Sequence, residues 1–110
     1  MGNAAPIGEF EQLVLLAILR LREDAYGVTI RREIEECTGR SVSRGAVYTT
    51  LDRLAEKGLL SSLKAEAPGP RTGMARRYYA VEPEGLEALA VSRSALRNMW
   101  TGLETVLGDL

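Results

Sequence analysis

Between residues 9 and 22, Phe10, Leu13, Val14, Ala17, Ile18 and Leu21 recur at the spacing of one helix face, and Leu15 and Leu16 widen the stripe. The pattern predicts a first helix over about residues 9–22, apolar enough to be covered from more than one side. After "REDA" a second helix is expected over roughly residues 26–38. It would bury Ile30, Ile34 and Cys37 and expose Arg31, Arg32, Glu35 and Glu36, with Gly39 supplying the left-handed residue that ends it. In "SVSRGAVYTTLDRLAEKGLL", residues 41–60, Val47, Leu51, Leu54 and Ala55 make a third buried stripe. Ser43 is placed to cap that helix, Val42 to face inward, and Gly58 to close it after Lys57.

The period then changes. Residues 59–66 and "ARRYYAVE", residues 75–82, read as strands, the second placing Arg77, Tyr79 and Val81 on one face. Tyr78 and Tyr79 point to opposite faces, so at most one is buried there, and Tyr26 is read as a packing residue. "APGPRTG" between the strands is loop. Three helices and a hairpin are the parts of a winged helix-turn-helix, so the expected fold class is α+β, mainly α. Pro83 opens a last helix, in which Leu89, Leu96, Leu103 and Leu110 recur every seven residues with Ser92, Met99 and Val106 between them. Nothing in the pattern stops this helix before about residue 107, since Gly85 and Gly102 are tolerable, which implies a length of roughly 37 Å. So long a seam on so small a domain needs a second copy of the chain. The division expected is a winged helix-turn-helix part over 1–82 and a C-terminal dimerisation helix over 83–110.

Composition narrows the function. The chain has 110 residues, no histidine and one cysteine, which leaves no imidazole base, no internal disulfide and no metal-ligand cluster. No Walker-type glycine loop occurs, and "GPRTG" is too short for one, so neither a catalytic residue nor a cofactor or metal is expected. The longest apolar run, "LVLLAIL", is seven residues, and no basic, hydrophobic leader opens the sequence. The reading is a cytoplasmic protein with no membrane segment. Net charge is −1, yet residues 40–79 carry eight Lys and Arg against three Asp and Glu, whereas each flanking third is net −3. Local potential governs phosphate binding, so the basic middle third points to nucleic acid.

"AYGVTIRREIEECTG", "VSRGAVYTTLDRLAEKGLL" and "RRYYAVEPEGLEAL" together resemble the PadR family of bacterial transcriptional regulators, in particular its short members with a single C-terminal dimerisation helix. The similarity runs from about Phe10 into the last helix. It implies a dimeric winged-helix repressor whose third helix enters the major groove of double-stranded DNA at a pseudo-palindromic operator. On that pattern Ser43, Arg44, Gly45, Tyr48, Thr49 and Arg53 form the recognition helix's DNA face, and Arg71, Thr72, Arg76 and Arg77 the wing's. Arg44 has the fork that takes guanine O6 and N7, and the Thr49 methyl suits thymine. Gly45 permits close approach, and Tyr48 can reach a phosphate. Leu89, Leu96, Met99, Trp100, Leu103 and Val106 fall to the dimer interface.

The chain departs from the family pattern at Met74 and Ala75, where Gly-Gly before basic residues is common. It departs again at Glu82, where a Thr usually caps the last helix, and at Trp100, about one turn beyond the drug-stacking tryptophan of some members. Two other readings of the sequence are a winged-helix protein-interaction module and a ligand-responsive regulator. The second would take a small hydrophobic effector in a chamber between subunits, lined by Met99, Trp100 and the first helix.

Overall fold

Residues 6–66 and 75–108 are described in the computed structural model. The first helix, α1 (Glu9–Leu21), ends in a single 3-10 turn at Arg22–Asp24 and is followed by α2 (Gly27–Thr38) and α3 (Arg44–Glu56). Strands β1 (Leu60–Glu66) and β2 (Ala75–Val81) make the hairpin, α4 (Pro83–Trp100) follows, and α5 (Glu104–Leu107) is a short last turn. The architecture is mainly helical with one small antiparallel sheet, as the periodicity predicts.

Each junction has a local cause. Gly39 ends α2 at φ 72°, and Gly58, at φ 76°, turns the chain from α3 into β1, both in left-handed backbone that costs glycine nothing. Ser43 Oγ accepts from the Ala46 amide at 3.1 Å and caps α3. The Glu35 carboxylate accepts from the Val42 amide at 2.9 Å, which fixes the turn between α2 and α3. At the entry to α2 the Thr29 hydroxyl donates to the Asp24 carbonyl at 2.6 Å and accepts from the Tyr26 amide at 3.0 Å.

Val14, Leu15, Ile30, Val47, Leu51 and Leu54 are the largest fully enclosed side chains among the described residues, shared among α1, α2 and α3. Each contributes about 1.5–3 kcal/mol through removal of apolar surface from water. Tyr79, Leu60 and Ala88 extend this core to the hairpin and α4. Residues 25 and 26 also join the sheet: the Tyr79 amide donates to the Ala25 carbonyl at 2.9 Å, and Tyr26 bridges Tyr78. That third, two-residue edge escapes sequence reading because it is too short to show alternation.

Three expectations need correction. Cys37 is exposed, with its thiol 3.5 Å from Glu33 Oε2, because the last turn of α2 runs past the elements that cover Ile30 and Ile34. On α3 the buried stripe is Val47, Thr50, Leu51 and Leu54, and Ala55 is exposed. The stripe is thus rotated by part of a turn, bringing Thr50 rather than Ala55 inward. The last helix is not continuous to residue 107. Thr101 leaves helical backbone at ψ 127°, Gly102 takes φ 89°, and the Glu104 carboxylate accepts from the Gly102 amide at 3.0 Å. Leu103 and Val106 therefore lie off α4, whose own row stops at Trp100.

Candidate nucleic-acid interface

α3 reaches the surface by its N-terminal end. Arg44, Gly45, Tyr48, Thr49 and Arg53 are all exposed, and Ser43 is occupied as the cap. A Cβ at Gly45 would meet nothing within 4 Å, so no contact among the described residues requires glycine there. The open space faces outward.

Tyr48 is placed by a second glycine. A Cβ at Gly27 would lie 2.2 Å from the Tyr48 hydroxyl and 2.5 Å from the ring, closer than real atoms approach. The ring therefore lies over the first residue of α2 only because that residue has no side chain. Gly27, Val28, Arg31, Arg44 and Tyr48 together line a small notch of about 180 Å³. The helical period only exposes Arg31, and its place beside Arg44 and Tyr48 depends on how α2 and α3 cross. No periodicity carries that information.

On the hairpin, alternation separates adjacent arginines. The register pairs Leu60 with Val81, Ser62 with Tyr79 and Lys64 with Arg77, so these share one face, and Leu63, Tyr78 and Arg76 share the other. Burial pushes the Tyr79 hydroxyl above its usual range, the Arg77 charge opposes this, and Asp52 and Tyr48 add to it. The Tyr79 face is thus the one turned to α3. On the opposite face the Arg76 guanidinium sits 4.0 Å from the centroid of the Tyr26 ring and donates to the Tyr78 hydroxyl at 3.3 Å. Arg77 donates to Ser62 Oγ at 2.9 Å. Arg71 and Thr72 lie outside the described residues.

Three ion pairs join described residues. Arg20 pairs with Glu33, Arg40 with Glu9, and Lys57 with Glu11, the last at 2.8 Å. Arg31, Arg44, Arg53, Lys64 and Arg77 make no ion pair among the described residues. Arg53 stands apart from the rest, since its charge acts on Glu11 near the far end of α3. Burial alone would raise the Glu11 carboxyl, but hydrogen bonds from Lys57 and the Gly8 amide outweigh it and hold the group below the usual carboxylate range. That pair joins α1 to the C-terminal end of α3, and nothing in the sequence foretold it.

The opposite side is apolar. α1 and α4 enclose a groove of about 530 Å³ lined by Leu16, Leu19, Leu86, Leu96 and Trp100 among others. Leu89 is half-buried against the chain's own core, whereas Leu96, Met99, Trp100, Leu103 and Val106 are exposed. Among the described residues no helix is long and apolar enough to cross a membrane, and no group of acids and thiols could hold a metal ion.

Comparison with known proteins agrees with this geometry. The family described as "Transcriptional regulator PadR-like family" matches residues 15–91. A PadR family transcription regulator from Clostridium difficile superposes with a TM-score of 0.70 at 23% identity, covering 90% of this chain and 99% of that one. A PadR-like transcriptional regulator from Bacillus cereus gives 0.72 at 24%, covering 92% and 93%. A PadR family regulator from Eggerthella lenta gives 0.66 at 27%, covering 93% and 88%. No curated protein matches.

Proposed function

The chain belongs to the PadR-like family of transcriptional regulators, and from that premise we propose that it is a homodimeric repressor that reads a pseudo-palindromic operator through α3. That it is a DNA-binding transcriptional regulator follows from the family. We read it as a regulator without catalytic activity, acting in the cytoplasm by occupying its site. Residues 1–82 bind DNA in this reading, and 83–110 join the subunits.

The observation that carries the proposal is the unneutralised first turn of α3. Arg44 is free of ion pairs among the described residues, and Gly45 has open space where a side chain would stand. The N-terminal end of a recognition helix is the end that reaches base edges. Arg44 then forks onto guanine, the Thr49 methyl meets thymine, and Gly45 lets the backbone approach. Tyr48, held over Gly27, and Arg31 beside it take the flanking phosphates. Arg53, nearer Glu11, sits at the margin of this footprint.

The exposed row of Leu96, Met99 and Trp100, with Leu16 and Leu19 of α1 beside it, supports a two-fold partner of the same sequence. Two subunits so related would present their α3 helices to half-sites about 34–36 Å apart. Selection from a randomised duplex pool at near-physiological salt tests the reading. Enrichment of a pseudo-palindrome is expected. A folded, dimeric protein that enriches nothing would sink the operator and send the search to a partner other than DNA.

One observation favours a ligand-responsive variant of the same regulator. The groove between α1 and α4 is apolar, of about 530 Å³, and has Trp100 in its wall, which suits a small hydrophobic effector. Quenching or a shift of the fluorescence of the single tryptophan by such a compound, with weakened operator binding, is the expected sign. Fluorescence that no compound alters would remove this variant and leave the repressor reading.

A further inference from the structure

The wing carries three cations among its described residues, Lys64, Arg76 and Arg77, and the fold treats them differently. Lys64 and Arg77 are directly opposed across the β1–β2 register. Like charges at opposed positions destabilise a strand pair, and an anion held between them would relieve that cost. Neither side chain makes an ion pair among the described residues, and Arg77 donates to the neutral Ser62 hydroxyl at 2.9 Å. Both sit on the face shared with Tyr79, whose surroundings include Asp52 and Tyr48 of α3. The acids on this side are Asp52 and, farther along the same face, Glu66, against Arg44, Lys64 and Arg77.

Arg76 faces away from this side. Its guanidinium lies over the Tyr26 ring at 4.0 Å and donates to the Tyr78 hydroxyl at 3.3 Å, and the two rings meet edge to face at 5.6 Å. Tyr26 is the residue that flanks the first turn of α2, and its amide is itself bonded to Thr29 Oγ1. Arg76 therefore joins β2 to the start of the helix-turn-helix, by cation–π attraction and one hydrogen bond.

We propose that Arg76, which the family pattern places among the wing's DNA contacts, is instead a positioning residue that sets the wing's angle through Tyr26, which leaves phosphate contact on these strands to Arg77 and its cross-strand neighbour Lys64. This assignment rests on the DNA-binding reading above. It separates two neighbouring arginines into a contact and a strut, by nothing more than strand alternation.

The test is the salt dependence of binding by the full chain, measured with a labelled duplex of the selected sequence and one of random sequence. Each phosphate contact contributes close to one unit to the slope of log affinity against log salt. Lys64→Ala and Arg77→Ala are expected to lower that slope by about one each and to weaken both duplexes alike. Arg76→Ala should weaken binding several-fold with the slope unchanged. Arg76→Met, which keeps a polarizable chain on the Tyr26 ring, guards against simple misfolding and should also leave the slope intact. Tyr26→Leu should reproduce the Arg76→Ala loss without adding to it in the double variant, and Tyr26→Phe, which keeps the ring, should restore wild-type binding. A slope that falls in Arg76→Met, or one that stays put in both Lys64→Ala and Arg77→Ala, overturns the assignment. Wild-type protein that binds neither duplex would instead overturn the regulator reading itself.

Discussion

The side formed by α3 and the hairpin and the side formed by α1 and α4 both expose residues that an isolated domain has no use for, and they do so in opposite currencies. On the first, Arg44, Lys64 and Arg77 are cations that make no ion pair among the described residues. On the second, Leu96 is 54% exposed and Met99 74%. Bare cations are well solvated and can wait in water for a polyanion, whereas bare leucines and methionine cannot stay in water without cost. The difference teaches which association is conditional. On the proposed reading, the cationic side would engage DNA in a salt-dependent way and the apolar side would be covered by a second subunit.

The largest expected effect comes from breaking the apolar side. Leu96→Glu or Trp100→Glu should yield monomers in sedimentation experiments. Without a linked second subunit, operator affinity should fall by about 10²–10⁴-fold, the usual worth of bivalency. Monomers that bind the full operator as tightly as wild type would show that the apolar side serves something other than DNA recognition.

Gly85 lies where the two sides are joined. A Cβ there would stand 2.3 Å from the Leu59 carbonyl oxygen, which also accepts from the Glu82 amide at 2.9 Å. Backbone cannot move aside as a long side chain can, so Gly85→Ala should cost about 1–3 kcal/mol and shift the start of α4. Thermal melts read the loss, and a melt unchanged from wild type would mean that α4 packs less tightly than this geometry requires.

On the polar side, Arg44→Ala should lower the preference for the selected sequence over random DNA by about 1–3 kcal/mol. Equal weakening on both duplexes would demote Arg44 from reading bases to holding phosphate.

The smallest effect belongs to Glu11, paired with Lys57 at the C-terminal end of α3. Its carboxyl is held below the usual value of 4.5 when folded, so its contribution is fully present above that pH and is lost as pH falls through the lower, folded value. With Lys57 more than a third exposed, the pair is worth about 1 kcal/mol at most. Glu11→Gln should therefore flatten the acid limb of stability, followed by urea denaturation from neutral to about pH 3. An acid limb as steep as that of wild type would place the titrating groups elsewhere.

The elements and their order were legible in the chain because helix and strand periods are written in local spacing, and caps such as Ser43, Gly39 and Gly58 punctuate them. The outward-facing Arg44, Gly45, Tyr48 and Thr49 were legible for the same reason: exposure on α3 follows from the helical period alone. The family resemblance, carried by three short motifs, agrees with the match over residues 15–91.

Other features were decided only by the packed structure. Which end of a stripe is covered depends on where a neighbour stops, and so Cys37, in step with Ile30 and Ile34, ends in solvent. Whether a glycine is tolerated within a helix or ends it depends on the alternatives open to the backbone around it. Gly85 is buried in α4 under the Leu59 carbonyl, and Gly102 turns left-handed with Glu104 to satisfy its amide. Arg76 and Arg77 are alike in chemistry, and strand alternation alone sets them on opposite faces, but only the packed structure brings the ring of Tyr26 under Arg76. Local spacing fixes the direction in which each side chain leaves its own element. What it meets there is set by contacts between residues distant in sequence, such as Glu11 with Lys57 and Gly27 with Tyr48, which no local period records.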